Sequence, residues 1–391
     1  MKAPEGQLKN SILMRAGYFL LYFAEALSYC LLISYLTYMG FDSLQRGIIL
    51  SAGALCGTAA QFLVGYLCDR NHAIRRYVIW LMIIYILTGV LTYGREDGSF
   101  PYYLLMTGLM LSCYRALTAV FDSWVLESEP YISRSFGAIR AYGSAGWVAG
   151  SLLTSCIQSR MGYGGLALGF AAFTIILGVV CLLLPDAAKK SEDQISPKKL
   201  RLMLADRRYL TVIAALLCSF MMLSAADYIV VDKINALGGT ETDVSLMWAL
   251  VAVCELPLFF AGNRLVERWG AGRLFVVATV FYGIRFVLYG LSASVTGMLW
   301  LSLLQMVSFP LLTLSAKLLV AGEVRKGMES SGQQIAMALY VNLSAFAGPL
   351  VCGLLEKWFD VNAAIYFLAF FAVAALIIMR IYRRLAEGVV K

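Results

Sequence analysis

Gly65-Tyr-Leu-Cys-Asp69-Arg70-Asn-His72-Ala-Ile-Arg75-Arg76 ends the apolar stretch 47–68 with a glycine, an acid and a group of bases. Glycine lets two helices approach closely, an acid can be held by the positive N-terminal end of a neighbouring helix, and arginines anchor at a charged membrane surface. The segment reads as a conformational latch built from Gly65, Asp69, Arg70, Arg75 and Arg76. A weaker copy, Gly262-Asn-Arg264-Leu-Val-Glu267-Arg268-Trp-Gly-Ala-Gly-Arg273, ends the apolar stretch 243–266, 197 residues further on. Glycine, acid and arginine recur at or near matching places, so the second half of the chain reads as a repeat of the first.

Between and around the two copies the chain is apolar almost throughout, with 60% apolar and only 14% charged residues over 391. A soluble core does not need that much apolar surface. A spanning helix takes roughly 20 mostly apolar residues. That window gives twelve spans, at 13–38, 47–68, 77–93, 101–124, 138–160, 163–185, 209–231, 243–266, 273–293, 296–320, 331–355 and 361–382. The expected fold is an all-α membrane protein of twelve transmembrane helices in two pseudo-symmetric six-helix bundles, residues 1–185 and 209–391. A cytoplasmic linker, 186–208, joins them.

A net charge of +8 would suggest nucleic acid in a soluble protein. The placement of the bases points elsewhere. With the N-terminus inside, 23 of the 32 Lys and Arg fall at the inner ends and loops, 5 outside and 4 within spans. That asymmetry follows the positive-inside rule, so both termini and the linker are expected in the cytoplasm of an inner-membrane protein, and nucleic acid is not expected as a partner. The first span has no small-residue cleavage site and reads as a retained helix. All nine cysteines lie in or beside apolar segments without Cys-x-x-Cys spacing, and read as packing residues. Small-residue series such as Gly143, Gly146 and Gly150, and Gly47, Gly53 and Gly57, read as close helix contacts.

Eight ionisable side chains interrupt the spans: Glu25, Arg115, Asp122, Arg140, Asp227, Glu255, Arg285 and Lys317. At roughly 3 kcal/mol each, leaving them unpaired in lipid would cost on the order of 20 kcal/mol, so they pair or face a wet cavity. Glu25, Arg115, Glu255 and Arg285 fall near the middle of their spans; Asp122, Arg140 and Lys317 lie towards the inner end and Asp227 towards the outer. Arg115 and Asp122 share a face of the fourth span, Arg115 is the expected partner of Glu25, and Lys317 can snorkel to the surface. The single histidine, His72, lies in the latch loop and is expected to be solvated. Gln61, Gln305, Gln333, Gln334 and Asn342 add neutral polarity. With Trp147 and Tyr142 they would suit a hydroxyl-bearing solute with an apolar ring face.

The latch at Gly65 to Arg76 resembles the hallmark of the major facilitator superfamily. Asp122, followed by Arg140 in Phe136-Gly-Ala-Ile-Arg140-Ala-Tyr142-Gly143-Ser-Ala-Gly146-Trp147, resembles the lactose-permease-like branch, which includes phenylpropionate-type and nucleoside permeases. The resemblance implies that Asp122 and Arg140 bind solute, that Trp147 stacks on it, that Glu255 is a solute-contacting acid, and that Arg285 supports proton coupling. The sequence departs from the branch where its proton site lies: Gln305 and Ser308 precede Pro310, and Gln333 replaces a lysine. Glu25 then becomes the alternative proton carrier.

The function expected is a secondary active transporter that moves a small polar organic solute, best matched by a sugar or glycoside, by alternating access with protons. Asp122, Arg140, Trp147, Glu255, Gln305 and Gln333 are the expected solute contacts; Glu25, Arg115, Asp227 and Arg285 are the expected proton-coupling or charge-pairing groups. A monomer in the bilayer is expected, without cofactor or metal. Rival readings are an efflux transporter of amphipathic compounds, a nucleoside or aromatic acid permease, a sodium symporter and a non-transporting receptor. An enzyme is disfavoured, since no nucleophile and base, metal-spaced cluster or phosphate loop is present.

Overall fold

The computed structural model describes residues 5–187, 201, 203–324 and 328–387, and the secondary structure among them is helical. The helices are α1 (Glu5–Tyr29), α2 (Leu32–Tyr38), α3 (Ser43–Asn71), α4 (Arg75–Tyr93), α5 (Phe100–Glu127), α6 (Pro130–Ser133) and α7 (Phe136–Leu183). They continue as α8 (Arg207–Ala236), α9 (Glu241–Trp269), α10 (Ala271–Leu291), α11 (Val295–Ser302), α12 (Gln305–Glu323), α13 (Glu329–Met337), α14 (Leu343–Trp358) and α15 (Val361–Glu387). A π-helical turn, Ala338–Asn342, joins α13 to α14.

Each of the twelve expected spans falls on helix. Among the described residues, ten helical stretches are long and apolar enough to cross a bilayer. One of them, α7, carries two expected spans across Gly162, whose φ of 66° and ψ of −172° break the helical path. A left-handed φ costs glycine nothing. The span expected at 243–266 lies on α9, which is not among the ten.

Local chemistry sets the helix ends. Asp42 and Gln45 form a reciprocal capping box at the start of α3, Asp206 accepts from the Arg208 and Tyr209 amides at the start of α8, and Ser294 does the same for Gly297 in α11. Prolines 257, 310 and 349 lie inside α9, α12 and α14. Within a bilayer, neighbouring helices can re-satisfy the carbonyls that such prolines free.

The chain forms two compact units: Met1–Ser191 with Thr240–Val253, and Glu192–Gly239 with Cys254–Lys391. The expected linker 186–208 lies largely outside the described residues. In the first unit α1 packs along α7, α3 along α5, and α4 against both α5 and α7. The glycine series make these contacts possible. A Cβ at Gly146 would run into the backbone of Phe19, and one at Gly150 would lie 2.7 Å from the Phe23 carbonyl oxygen. Gly53 and Gly57 bring α3 against Leu111 and Arg115 of α5 in the same way.

In the second unit α8 packs on α15 and α14, and α10 on α12 and α15. Outward faces of both units carry exposed apolar side chains, among them Leu63, Leu87, Leu105, Leu291, Phe370 and Ile377. Continuous apolar exposure of this kind is stable only where acyl chains cover it. An apolar groove lined by Val280, Ile284, Val287, Ala369 and Val373 belongs to this lipid-type surface.

Candidate functional site

Tyr18, Tyr22, Glu25 and Tyr29 recur every three or four residues, which places them in one stripe along α1. That stripe builds the polar centre of the first unit. Glu25 is fully buried; its Oε1 accepts a 2.7 Å hydrogen bond from Thr118 Oγ1, and its Oε2 is buried with no hydrogen-bond partner among the described residues. One turn past Thr118 on α5, Asp122 Oδ1 accepts from the Tyr18 hydroxyl at 2.6 Å. Arg140, near the start of α7, lays its guanidinium over the Tyr22 ring at 4.1 Å and lies 5.9 Å from that of Tyr18. Its charge acts on both Glu25 and Asp122. Gly143 makes the arrangement possible, since a Cβ there would lie 2.7 Å from Tyr22 and 3.0 Å from Arg140 Nη1.

The expected pairing of Glu25 with Arg115 is not among the hydrogen bonds and ion pairs of the described residues. Glu25 takes its hydrogen bond from Thr118 and its basic influence from Arg140. The Arg115 stem lies against α3 at Gly57, where a Cβ would come within 2.6 Å of its Cδ, and the backbone carbonyl of Arg115 accepts from Gln61 Nε2 at 2.9 Å. How neighbouring helices rotate against one another is not encoded in the spacing along one of them.

One or two turns from this ionic layer lies an aromatic one. Tyr29 follows Glu25 by a turn, Tyr114 precedes Thr118 by a turn, and Trp147 follows Arg140 by two. Trp147 and Trp248 lie 5.8 Å apart between ring centroids, Tyr29 is 6.2 Å from Trp147 and 5.9 Å from Trp248, and Tyr114 is 6.3 Å from Tyr29. Trp248 Nε1 donates to the Cys30 carbonyl at 3.2 Å. Such edge-on and tilted ring pairs are favourable geometries.

The second unit has its own polar centre. Arg285 on α10 is 2% exposed. Its Nη1 donates to Gln305 Oε1 and, at 3.5 Å, to Ser308 Oγ; Gln305 Nε2 in turn donates to Glu255 Oε1 at 3.0 Å. Gln305 thus stands between the base and the acid, one amide group serving both. Tyr282, Tyr289 and Phe286 surround the guanidinium at 4.7, 5.6 and 5.9 Å. The charges of Glu255 and Asp227 both reach Tyr282.

Gln333 lies elsewhere: its Nε2 donates to the Lys317 carbonyl at 2.8 Å. Lys317 itself is exposed, as snorkelling requires. Ionic side chains outside the eight expected in the spans are buried as well. Because α8 runs on to Ala236, it carries Asp232 and Lys233 in a buried setting, 4% and 5% exposed, with Lys233 Nζ donating to Asn362 Oδ1 at 2.6 Å.

At the latch, His72 is exposed and closes α3 with a left-handed φ of 48°. An acid absent from the sequence reading completes the segment: Asp186 Oδ1 accepts from the amides of Ile74 and Arg75 at 3.0 and 2.9 Å, capping α4, while Arg75 Nη1 donates to the Leu184 carbonyl at 3.1 Å. In the weaker copy Arg383 Nη2 reaches back to the Gly272 carbonyl at 3.0 Å. Each loop is thereby tied to a helix end more than a hundred residues away.

Other side chains the sequence reading did not single out are Tyr18, Tyr22, Thr118, Tyr282 and Trp248. The four-three-four spacing of Tyr18, Tyr22, Glu25 and Tyr29 was a usable signal for the first two. Trp248 carried none, because its partners lie on other helices.

Helical order, paired glycine, acid and arginine segments and two polar centres are those of a polytopic membrane transporter of the major facilitator type. The model of the MFS_1 like family matches residues 12–369, and the chain belongs to that family. It is 24% identical over 364 residues to the maltose permease of Geobacillus stearothermophilus, covering 93% of this chain and 92% of that one. It is 21% identical over 307 residues to a probable 3-phenylpropionic acid transporter of Escherichia coli (strain K12), covering 77% and 78%. Among solved structures, a single-site mutant of the nucleoside transporter NupG superposes with a TM-score of 0.83 at 15% identity, covering 95% of this chain and 99% of the other. At that identity the likeness speaks for the fold.

Proposed function

We propose that the protein is a proton symporter that carries a small polar organic solute, a sugar or glycoside, across the inner membrane by alternating access. Both termini are cytoplasmic in this reading, as the basic residues favour, and the protein acts as a monomer. The observation that carries it is Glu25: a fully buried carboxyl with one oxygen left without a protein partner among the described residues, beside Asp122 and Arg140. A lone carboxylate oxygen at such depth calls for a proton, water or a solute hydroxyl. Asp122 and Arg140 hold solute hydroxyls, Trp147 offers a ring face, Glu255 is a further solute-contacting acid, and Glu25 takes and releases the proton. The maltose permease relative supports the solute class.

In proteoliposomes holding purified protein, Glu25→Gln is expected to abolish uphill uptake driven by a proton gradient while solute exchange continues. Undiminished uphill uptake by that variant would remove Glu25 from the proton path.

A nucleoside or aromatic acid is the second reading, and the cluster of Tyr29, Tyr114, Trp147 and Trp248 favours it. Four rings offer more stacking surface than a pyranose needs. Competition of labelled solute uptake by uridine and by 3-phenylpropionate separates the two readings.

A further inference from the structure

Tyr282 and Arg285 lie three residues apart on α10, so their side chains leave the same face. Both are enclosed, Tyr282 at 0% and Arg285 at 2% exposure, with the Tyr282 ring 4.7 Å from the guanidinium carbon. Each also keeps a donor that no described residue accepts. The Tyr282 hydroxyl and the Arg285 Nε have no hydrogen-bond partner among the described residues, whereas Arg285 Nη1 is engaged by Gln305 and Ser308.

Two buried, unsatisfied donors on one face of a helix are unusual, because each forfeits its hydrogen bonds to water without replacement. The neighbouring tyrosine shows the ordinary solution: the Tyr289 hydroxyl pairs with Ser302 Oγ at 3.0 Å. What Tyr282 and Arg285 lack is an acceptor. The charge of that acceptor is constrained as well: the positive charge of Arg285 acts on Tyr282 most strongly, but Glu255 and Asp227 already act against it, and Glu255 is linked to Arg285 through Gln305, so two acids already answer the one base. A further full negative charge would be repelled by two acids. A neutral oxygen with two lone pairs would satisfy both donors at no such cost.

We propose that Tyr282 and Arg285 form a subsite in the second unit for a neutral carbonyl oxygen on the transported solute, such as that of an acetamido group or a nucleobase. This deepens the transport reading and rests on it: among sugars and glycosides it selects those that carry an amide or similar carbonyl. The aromatic rings around the guanidinium then pack on the apolar flank of that group.

Equilibrium binding and thermal protection of the purified full-length chain test the subsite, with N-acetylglucosamine against glucose, uridine against ribose, and glucuronate as the charged probe. The carbonyl-bearing member of a pair is expected to bind about tenfold more tightly, the worth of one to two hydrogen bonds. Tyr282→Phe is expected to erase that preference without lowering the melting temperature of the ligand-free protein, because the hydroxyl it removes has no partner among the described residues. Arg285→Lys, which keeps the charge and loses the Nε donor, is expected to erase it too.

Equal protection within both pairs, including none at all, overturns the proposal in favour of bound water. Tighter binding of glucuronate than of both carbonyl probes overturns it in favour of an anion site. Liposome flux keeps the two readings apart. Carbonyl preference without any flux would leave the subsite standing and remove the transport reading, and flux without preference would do the reverse.

Discussion

Arg140 is the residue on which the first polar centre turns, because its charge acts on two acids, Glu25 and Asp122, and its guanidinium stacks on Tyr22. That planar group can stack and donate together, which an ammonium cannot. Arg140→Lys is therefore expected to weaken solute binding tenfold or more, about 1.4 kcal/mol, measured by isothermal titration; unchanged affinity would remove Arg140 from the site. The acids and arginines in the spans were legible from sequence because the bilayer makes an interior charge costly. Their tyrosine partners were not. A tyrosine in an apolar span reads as core or lipid-facing, and what distinguishes Tyr18 is an Asp122 carboxylate on another helix, 104 positions away.

At the scale of helices, contact distance and end-capping decide behaviour. Gly146 lets α7 lie against the α1 backbone, so Gly146→Leu is expected to push the two apart and cost about 1–3 kcal/mol, read as a lower melting temperature in detergent together with lost binding. A normal melting temperature would show that α1 and α7 have slack. Asp186→Ala should remove the cap of α4, with a cost of about 1 kcal/mol and greater trypsin sensitivity at Arg75 and Arg76; unaltered cleavage would contradict the capping role. Helix existence was written plainly in the apolar windows, and the glycine spacing announced close packing. Which acid caps α4 was not readable, because Asp186 and Arg75 lie 111 residues apart and meet only once the first unit is assembled. The Thr118 and Arg140 partners of Glu25 were hidden for a similar reason: one helix's periodicity fixes its own faces and leaves its rotation against a neighbour open.

For the whole molecule, the repeat of the glycine, acid and arginine segment, the asymmetry of bases and the family membership agree on a membrane transporter, and each half supplies a base linked to acids. Orientation is testable on its own terms: a reporter fused to either terminus is expected to be protected from protease in right-side-out vesicles, and digestion of both would invert the topology. Proton movement coupled to solute movement is the central claim. External pH and labelled solute should be recorded together in proteoliposomes that start without internal solute and are driven only by the inward solute gradient. Downhill entry is predicted to alkalinise the outside in step with uptake, and Glu25→Gln to uncouple the two. Solute entry at full rate with no change in external pH would contradict the account.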